Sequence, residues 1–296
     1  MTKVLLAPSF DLALTVPDVV LTVEAEYGSM VLGGSVYTAA HHQPEGPFAG
    51  RHLVEGGRPA PCNDENIPEI EEGNIVVSHV DLDTLGGVLR AQGRHGLFNR
   101  YSSFWALAEF VDTNGAHKLR LSGAKQTDLD RLYAWWAYSK TLPRFPRDEV
   151  TDITADINEM CHALSSILTG DEDAMKAGKA FQDAEAVLDA STFVSLNPNG
   201  VVFRRAGQAN QFVNHLYATP EGVGKAVVAF NDANKSITVS LADAIEGVSC
   251  RELVQALWGP EAGGHAGIAG SPRGQEMTIK QALQATALVT LTLSEV

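Results

Sequence analysis

Residues 74–91, NIVVSHVDLDTLGGVLRA, pass from a short β-branched run straight into alternating polar acceptors and then into a helical pattern of apolar residues. A brief uninterrupted apolar run suits a strand buried on both faces, and a helix following directly makes this a strand-to-helix junction. Open α/β sheets place their chemistry at the carboxyl ends of such strands. The junction therefore selects an α/β architecture and directs attention to residues 79–83.

The rest of the chain fits around it. Apolar runs at 3–7 and 18–25 read as strands, and the stretch GSMVLGGSVY at 28–37 reads as a third strand or a helix. From His41 to Gly73 the chain is rich in Pro, Gly, Glu and Asn, an irregular excursion. Helices are expected at 102–111, 127–139, 152–168 and 172–189. In the third of these Ile153, Ile157, Met160, Leu164 and Ile167 share a stripe behind Thr151 as N-cap, and the fourth starts at Asp171. Beyond residue 190 the pattern turns to strands at 192–196, 200–205, 225–231 and 236–241, the last two joined by the polar turn NDANK. A helix at 250–257, a glycine-rich loop at 258–274 and a final helix at 278–287 complete the chain. Two domains are expected. Residues 1–190 form a mainly parallel sheet with helices, residues 191–296 form a smaller mixed-sheet α/β domain, and the active site is expected in the cleft between them.

The 296 residues, 45% hydrophobic and 20% charged, suit two soluble domains. Lys and Arg number 22 against 36 Asp and Glu, a formal charge of −14, which repels long nucleic acid. A small anionic substrate remains open if a bound cation reverses the field locally. No apolar run approaches the roughly 20 residues that span a bilayer and no leader pattern is present, so a cytoplasmic protein without a membrane partner is expected. Cys62, Cys161 and Cys250 are scattered and read as incidental thiols. A homodimer is left open.

Several groups could carry chemistry. His79, Asp81 and Asp83 alternate, so on an extended chain they point to one side. Carboxylates bind hard divalent cations, and an imidazole among them favours manganese, iron or zinc over calcium. The alternative is that Asp83 caps the helix and His79 is a polar residue at a strand end. In EFVDTNGAHKL at 109–119, Asp112 and His117 flank an Asn-Gly turn, and in AAHHQPEGP at 39–47 His41 adjoins His42. Glu159 and His162 lie i, i+3 and read as a helix-flank pair, because no second ExxH accompanies them. At 259–274, Gly259, Gly263, Gly264, Gly267, Gly270 and Gly274 surround His265 and Arg273. Glycines let successive N–H groups turn inward on an anion, so this segment could cradle a phosphate.

SHVDLDTLGG resembles the first motif of the DHH phosphoesterases, and GPEAGGHAGIAGSPRG is similar to the GGGHxxAAG loop of their DHH-associated C-terminal domain. The resemblance spans about 192–290 well and the N-terminal half in patches. It implies a first domain holding one or two manganese ions and a second closing over the phosphate or nucleotide of the substrate. His79, Asp81 and Asp83 match the first metal motif, Asp112 looks like the metal-bridging aspartate, and Gly263, Gly264 and His265 match the clamp. The family's Asp-His-His triplet is absent: AAHHQ carries Ala40 where the aspartate would stand and precedes HxDxD rather than following it. His41, His42 or His117 would supply the missing imidazole. The expectation is a metal-dependent phosphoesterase acting on a short oligonucleotide or nucleotide derivative. Manganese, or else magnesium or zinc, would be held by His79, Asp81, Asp83, Asp112 and His41. His117 and His42 would serve as catalytic imidazoles, and Gly263, Gly264, His265 and Arg273 would bind the substrate. The alternatives are a nucleotide- or phosphate-binding regulatory protein with a degenerate metal site, or a hydrolase of another ester such as an aminoacyl ester.

Overall fold

The structure is a computed structural model, and it describes every residue except 1, 28–29, 41–52, 55–57, 60–65, 208–216, 220–221, 265 and 273–274. The chain separates into two units, 1–113 with 122–181, and 114–121 with 182–296.

The first unit is built on a five-stranded sheet in the order Tyr37–Ala39, Val19–Val23, Asn74–Val77, Lys3–Leu6, Thr151–Asp152. The first four strands are parallel, with Lys3 to Leu6 in register with Asn74 to Val77, and only Thr151–Asp152 runs antiparallel. Ile75, Val76 and Val77 are fully buried, which is why this strand reads as an unbroken apolar run. Strands prevail in GSMVLGGSVY: Met30–Val31 pairs with Glu26–Tyr27, and the stretch ends in the edge strand Tyr37–Ala39. Within the irregular excursion, Leu53–Val54 pairs with Arg58–Pro59.

Helices Leu82–Ala91, Ser102–Asn114, Gln126–Ser139, Thr154–Thr169 and Glu172–Thr192 follow the expected spans closely. One cap differs. Thr151 is not the N-cap of the Thr154–Thr169 helix, because its backbone pairs with Leu6 in the sheet. The N-cap position falls on Ile153, whose side chain cannot cap, and Asp152 before it accepts from the Thr154 N–H at 3.1 Å and from the Thr154 hydroxyl at 2.6 Å. Asp171 does act as read, accepting from the N–H of Ala174. The stripe Ile153, Ile157, Met160, Leu164, Ile167 is buried, whereas Glu159 and His162 lie exposed on the helix flank.

The second unit holds a six-stranded mixed sheet in the order Phe193–Leu196, Val201–Ala206, Ala226–Asn231, Ser236–Leu241, Ile268–Gly270, Gly263–Gly264. Only Val201–Ala206 and Ala226–Asn231 are parallel neighbours. Val201, Phe203, Val228 and Val239 pack with Val254 of the Cys250–Trp258 helix and with Ala282, Ala285 and Val289 of the Ile279–Ser294 helix. That last helix opens with a capping box of Thr278 and Gln281 and continues past residue 287, since Val289 and Leu293 extend its buried stripe. The NDANK turn closes with Asn231 accepting from the N–H groups of Ala233 and Asn234. Arg204, 1% exposed, crosses this unit: it pairs with the Asp189 carboxylate at 2.8 Å and donates to the Ala218 carbonyl at 2.6 Å. The glycine-rich segment is not wholly a loop. Gly263–Gly264 and Ile268–Gly270 form a small hairpin that extends the sheet, seated by the buried Ala269. Among the described residues no helix is long and apolar enough to cross a membrane.

Gly178 shows packing overriding propensity. It lies mid-helix, where alanine would ordinarily gain about 1 kcal/mol. A Cβ there would sit 2.6 Å from the Ala134 nitrogen and 2.7 Å from its Cα, against backbone that cannot give way. Gly178→Ala is therefore expected to destabilise the protein by about 1–3 kcal/mol rather than stabilise it. Denaturant unfolding checks the sign.

Candidate metal centre

The centre starts from Glu24, the residue that ends the Val19–Val23 strand. Its φ is +49°, a left-handed conformation costing a non-glycine residue roughly 1–2 kcal/mol. The Glu24 N–H donates to the Ala39 carbonyl of the neighbouring strand at 2.9 Å. The side chain is buried, with Oε2 accepting from the Thr84 hydroxyl at 2.9 Å and lying 2.9 Å from His79 Nε2.

The neighbouring Asn74–Val77 strand runs out into Ser78 and His79, and the Leu82–Ala91 helix begins immediately after. Its cap is Asp81, not Asp83: Asp81 Oδ1 accepts from the Thr84 N–H at 2.9 Å. The cap fixes that carboxylate's orientation and turns Oδ2 toward His79 Nε2 at 3.4 Å. Asp83, in the first helical turn, is buried. An acid there is favoured by the helix dipole.

The hydrogen bonds define the protons on His79. The Ser78 hydroxyl donates to the Glu24 carbonyl, so toward His79 Nδ1, at 2.9 Å, Ser78 Oγ can only accept. Nδ1 therefore carries a proton, and Nε2, facing two carboxylates, carries another. Burial pushes the imidazole pKa down, but the hydrogen bonds and charges of Asp81 and Glu24 prevail and raise it to about 10.

Ligand atoms of Glu24, His79 and Asp81 all lie within 4.8 Å of one another, as do those of Glu24, Asp83 and Asp112. Ligands about 2.0–2.2 Å from a cation are at most roughly 4.4 Å apart, so either group could close on one with little movement. The donor set, carboxylates with one imidazole, suits a divalent transition metal. A positive charge, the Nε2 proton, already stands between two of the carboxylates. The residues therefore fit a divalent cation, with Glu24 common to both groups.

His79 and Asp81 are thus brought together in one group and Asp83 and Asp112 in another, joined by Glu24, which the motif reading did not single out. The signal for Glu24 was a carboxylate at the carboxyl end of an apolar strand. His117 lies in the second unit, where Nε2 donates to the Ala242 carbonyl at 2.8 Å and the ring packs on Tyr217 at 4.5 Å. Burial pushes its pKa down, the Ala242 carbonyl opposes this, and the Lys118 charge adds to the fall. Gly263 and Gly264 form the exposed edge strand of the second sheet. His41, His42, His265 and Arg273 lie outside the described residues. Ser78 also lines an open groove of about 520 Å³ with Phe10, Asp11, Glu26 and Tyr27, room for a small molecule beside the centre.

No protein-family model matches the sequence, and no curated protein matches it. Among solved structures the chain is similar to an exopolyphosphatase-related protein from Bacteroides fragilis, with 13% identity, a TM-score of 0.34 and coverage of 87% of this chain and 64% of that one. It is also similar to RecJ of Thermus thermophilus in complex with Mn2+, with 15% identity, a TM-score of 0.35 and coverage of 88% and 41%. An uncharacterized protein from Helicobacter pylori shows 11% identity, a TM-score of 0.24 and coverage of 74% and 69%. The chain thus spans less than two thirds of the length of the first two. Similarity at this level does not bear on the chemistry.

The raised pKa of His79 stabilises the folded, metal-free protein. That contribution is complete below the unfolded value of about 6.5 and is lost as pH rises through about 10. In metal-free protein, nitrogen-detected NMR should show both His79 ring nitrogens protonated at pH 7.5, with a titration midpoint near 10. Asp81→Asn should lower the midpoint markedly. A wild-type midpoint at the ordinary histidine value would refute this account of the site.

Proposed function

We propose that the chain is a metal-dependent phosphohydrolase acting on a small phosphoester, a short oligonucleotide or nucleotide derivative. The observation that carries the reading is the buried Glu24 carboxylate, shared by two groups of potential ligands at the carboxyl ends of adjacent parallel strands. The HxDxD resemblance of residues 79–83 supports it from the sequence side. Glu24, His79, Asp81, Asp83 and Asp112 would hold the cation, with manganese favoured and magnesium or zinc as alternatives. When bound, it would supply Lewis-acid charge to a phosphoryl oxygen and acidify water for attack.

The residues divide the remaining work. His79 would bind the cation through a deprotonated Nε2, while its Nδ1–H donates to Ser78 Oγ and so presets the ring orientation. Thr84 holds the Glu24 carboxylate in place, and Asp81 stays oriented by its cap. In this reading His41 or His42, which follow the strand beside Glu24 in sequence, protonates the leaving oxygen.

Phosphate binding is assigned to the glycine-rich segment, with His265 and Arg273. Two kinds of glycine occur there. At Gly264, φ is +145° and a Cβ would sit 2.5 Å from Ala269 Cα, so the fold itself requires glycine. At Gly263 and Gly267 a Cβ would meet nothing within 4 Å among the described residues. Close approach of a ligand to backbone N–H groups would account for glycine at those two positions.

Release of phosphate or mononucleotide from 5′-phosphorylated dinucleotides tests the reading. Turnover should require added Mn2+ and stop with chelator. Glu24→Gln and Asp83→Asn should each lower kcat/KM by more than the ~10–100-fold that loss of an outer partner costs. Gly263→Ala should leave the Tm unchanged and raise KM. Undiminished turnover in the Glu24 and Asp83 variants would overturn the assignment, and nucleotide binding without turnover would favour a regulatory binding protein.

A further inference from the structure

We propose that the groove beside the metal centre is a nucleobase subsite that selects guanine, with Phe10 and Tyr27 as a stacking ledge and Asp11 as acceptor for the N–H groups of the base. The proposal rests on the nucleotide reading above for its class of ligand.

The groove, of about 520 Å³, lies wholly within the first unit. It is lined on one side from the short Phe10–Ala13 helix, which follows the Lys3–Leu6 strand, and on the other from the hairpin of Glu26–Tyr27 and Met30–Val31. Ser78 joins it to the centre, since its Oγ lies 2.9 Å from His79 Nδ1, and Glu26 stands two residues beyond Glu24. A nucleotide with its phosphate at the centre would therefore have this groove within reach of its base. The lining excludes one rival occupant. Among the described residues that form it none is basic and two, Asp11 and Glu26, are acidic, so a second phosphate or a polyphosphate chain is repelled.

What the groove offers instead is aromatic surface and acceptors. Phe10 and Tyr27 are half-buried, packed against the core of Ala7, Ala13 and Val76. Their rings meet edge to face with centroids 5.9 Å apart, and the Tyr27 hydroxyl donates to the Ala7 carbonyl at 2.8 Å, so the ledge is fixed before a ligand arrives. Burial pushes the Tyr27 phenol up to about 12, which keeps it neutral. Met30, 47% exposed, adds an adaptable apolar side chain. Aromatic ledges stack bases of every kind, so selection falls to Asp11, exposed in the first turn of its helix. An ionised carboxylate only accepts, and it can take two parallel N–H bonds from a fork of donors. Guanine presents such a fork at N1 and N2. Adenine does not, because acceptor nitrogens flank its amino group.

Equilibrium dialysis of nucleosides against the full chain in chelator tests this without any metal. Guanosine should bind about 10-fold more tightly than adenosine, and than inosine, which lacks the 2-amino group. Asp11→Asn, a surface change, should remove that preference and leave adenosine binding as it was. Phe10→Leu keeps an apolar contact with the core but has no ring face, and should weaken all three nucleosides by at least about 5-fold. Inorganic triphosphate should not displace guanosine. No guanosine binding, a preference that survives Asp11→Asn, unchanged affinity in Phe10→Leu, or binding of choline in place of nucleosides overturns the proposal. The two readings fail separately. Guanosine binding without metal-dependent turnover overturns the phosphohydrolase reading and supports the subsite, whereas metal-dependent turnover without guanosine binding overturns the subsite alone.

Discussion

The Glu24 carboxylate is held almost entirely out of water, and an ionised carboxylate in that position is costly unless hydrogen bonds and opposite charge compensate it. The compensation comes from the Thr84 hydroxyl and the His79 imidazolium. Each partner depends in turn on a local device. Thr84 is placed by the first turn of a helix that Asp81 caps, and His79 is oriented by Ser78, whose own proton goes to the Glu24 carbonyl. The left-handed backbone of Glu24 belongs to the same constraint, because it occurs where the chain leaves the sheet and turns a carboxylate inward. Three strand ends and a helix start thus converge on one buried negative charge. Metal binding as proposed would be an exchange of cations, a divalent ion for the proton on Nε2, within a frame that already exists.

The second unit is organised differently. Arg204, buried there, pairs with Asp189 and donates to backbone carbonyls, so its charge is spent on packing. In the proposed reading, phosphate recognition falls to the backbone of the glycine-rich hairpin, where at Gly263 and Gly267 the fold itself leaves room for a Cβ. The proposed centre would then work through charged side chains and the proposed clamp through bare backbone.

Much of this was legible in the sequence. The buried strand at 74–77 announced itself because both its faces are covered, and the stripe from Ile153 to Ile167 because one helix face is. His79, Asp81, Asp83 and Asp112 were singled out as candidates through spacing and resemblance. Glu24 escaped because a lone carboxylate after a strand carries no motif, and its burial depends on Thr84 and His79, more than fifty residues away. The cap is Asp81 rather than Asp83, the alternative weighed from sequence, because the helix starts at Leu82 and only Asp81 stands where its carboxylate reaches the Thr84 N–H. At 258–274 glycine content concealed a hairpin, since strands of two and three residues lack the periodicity by which strands are recognised. For His117, Asn-Gly marked the turn, but its carbonyl partner at Ala242 lies 125 residues on and no local pattern points there.

The central claim is that Glu24 is the shared carboxylate of a metal centre, and anomalous diffraction from Mn2+-soaked crystals tests it most directly. A manganese peak within about 2.3 Å of a Glu24 carboxylate oxygen, with His79 or Asp83 as a further ligand, is the predicted result. Manganese bound elsewhere with Glu24 still paired to His79, or no bound manganese at saturating concentration, would contradict it.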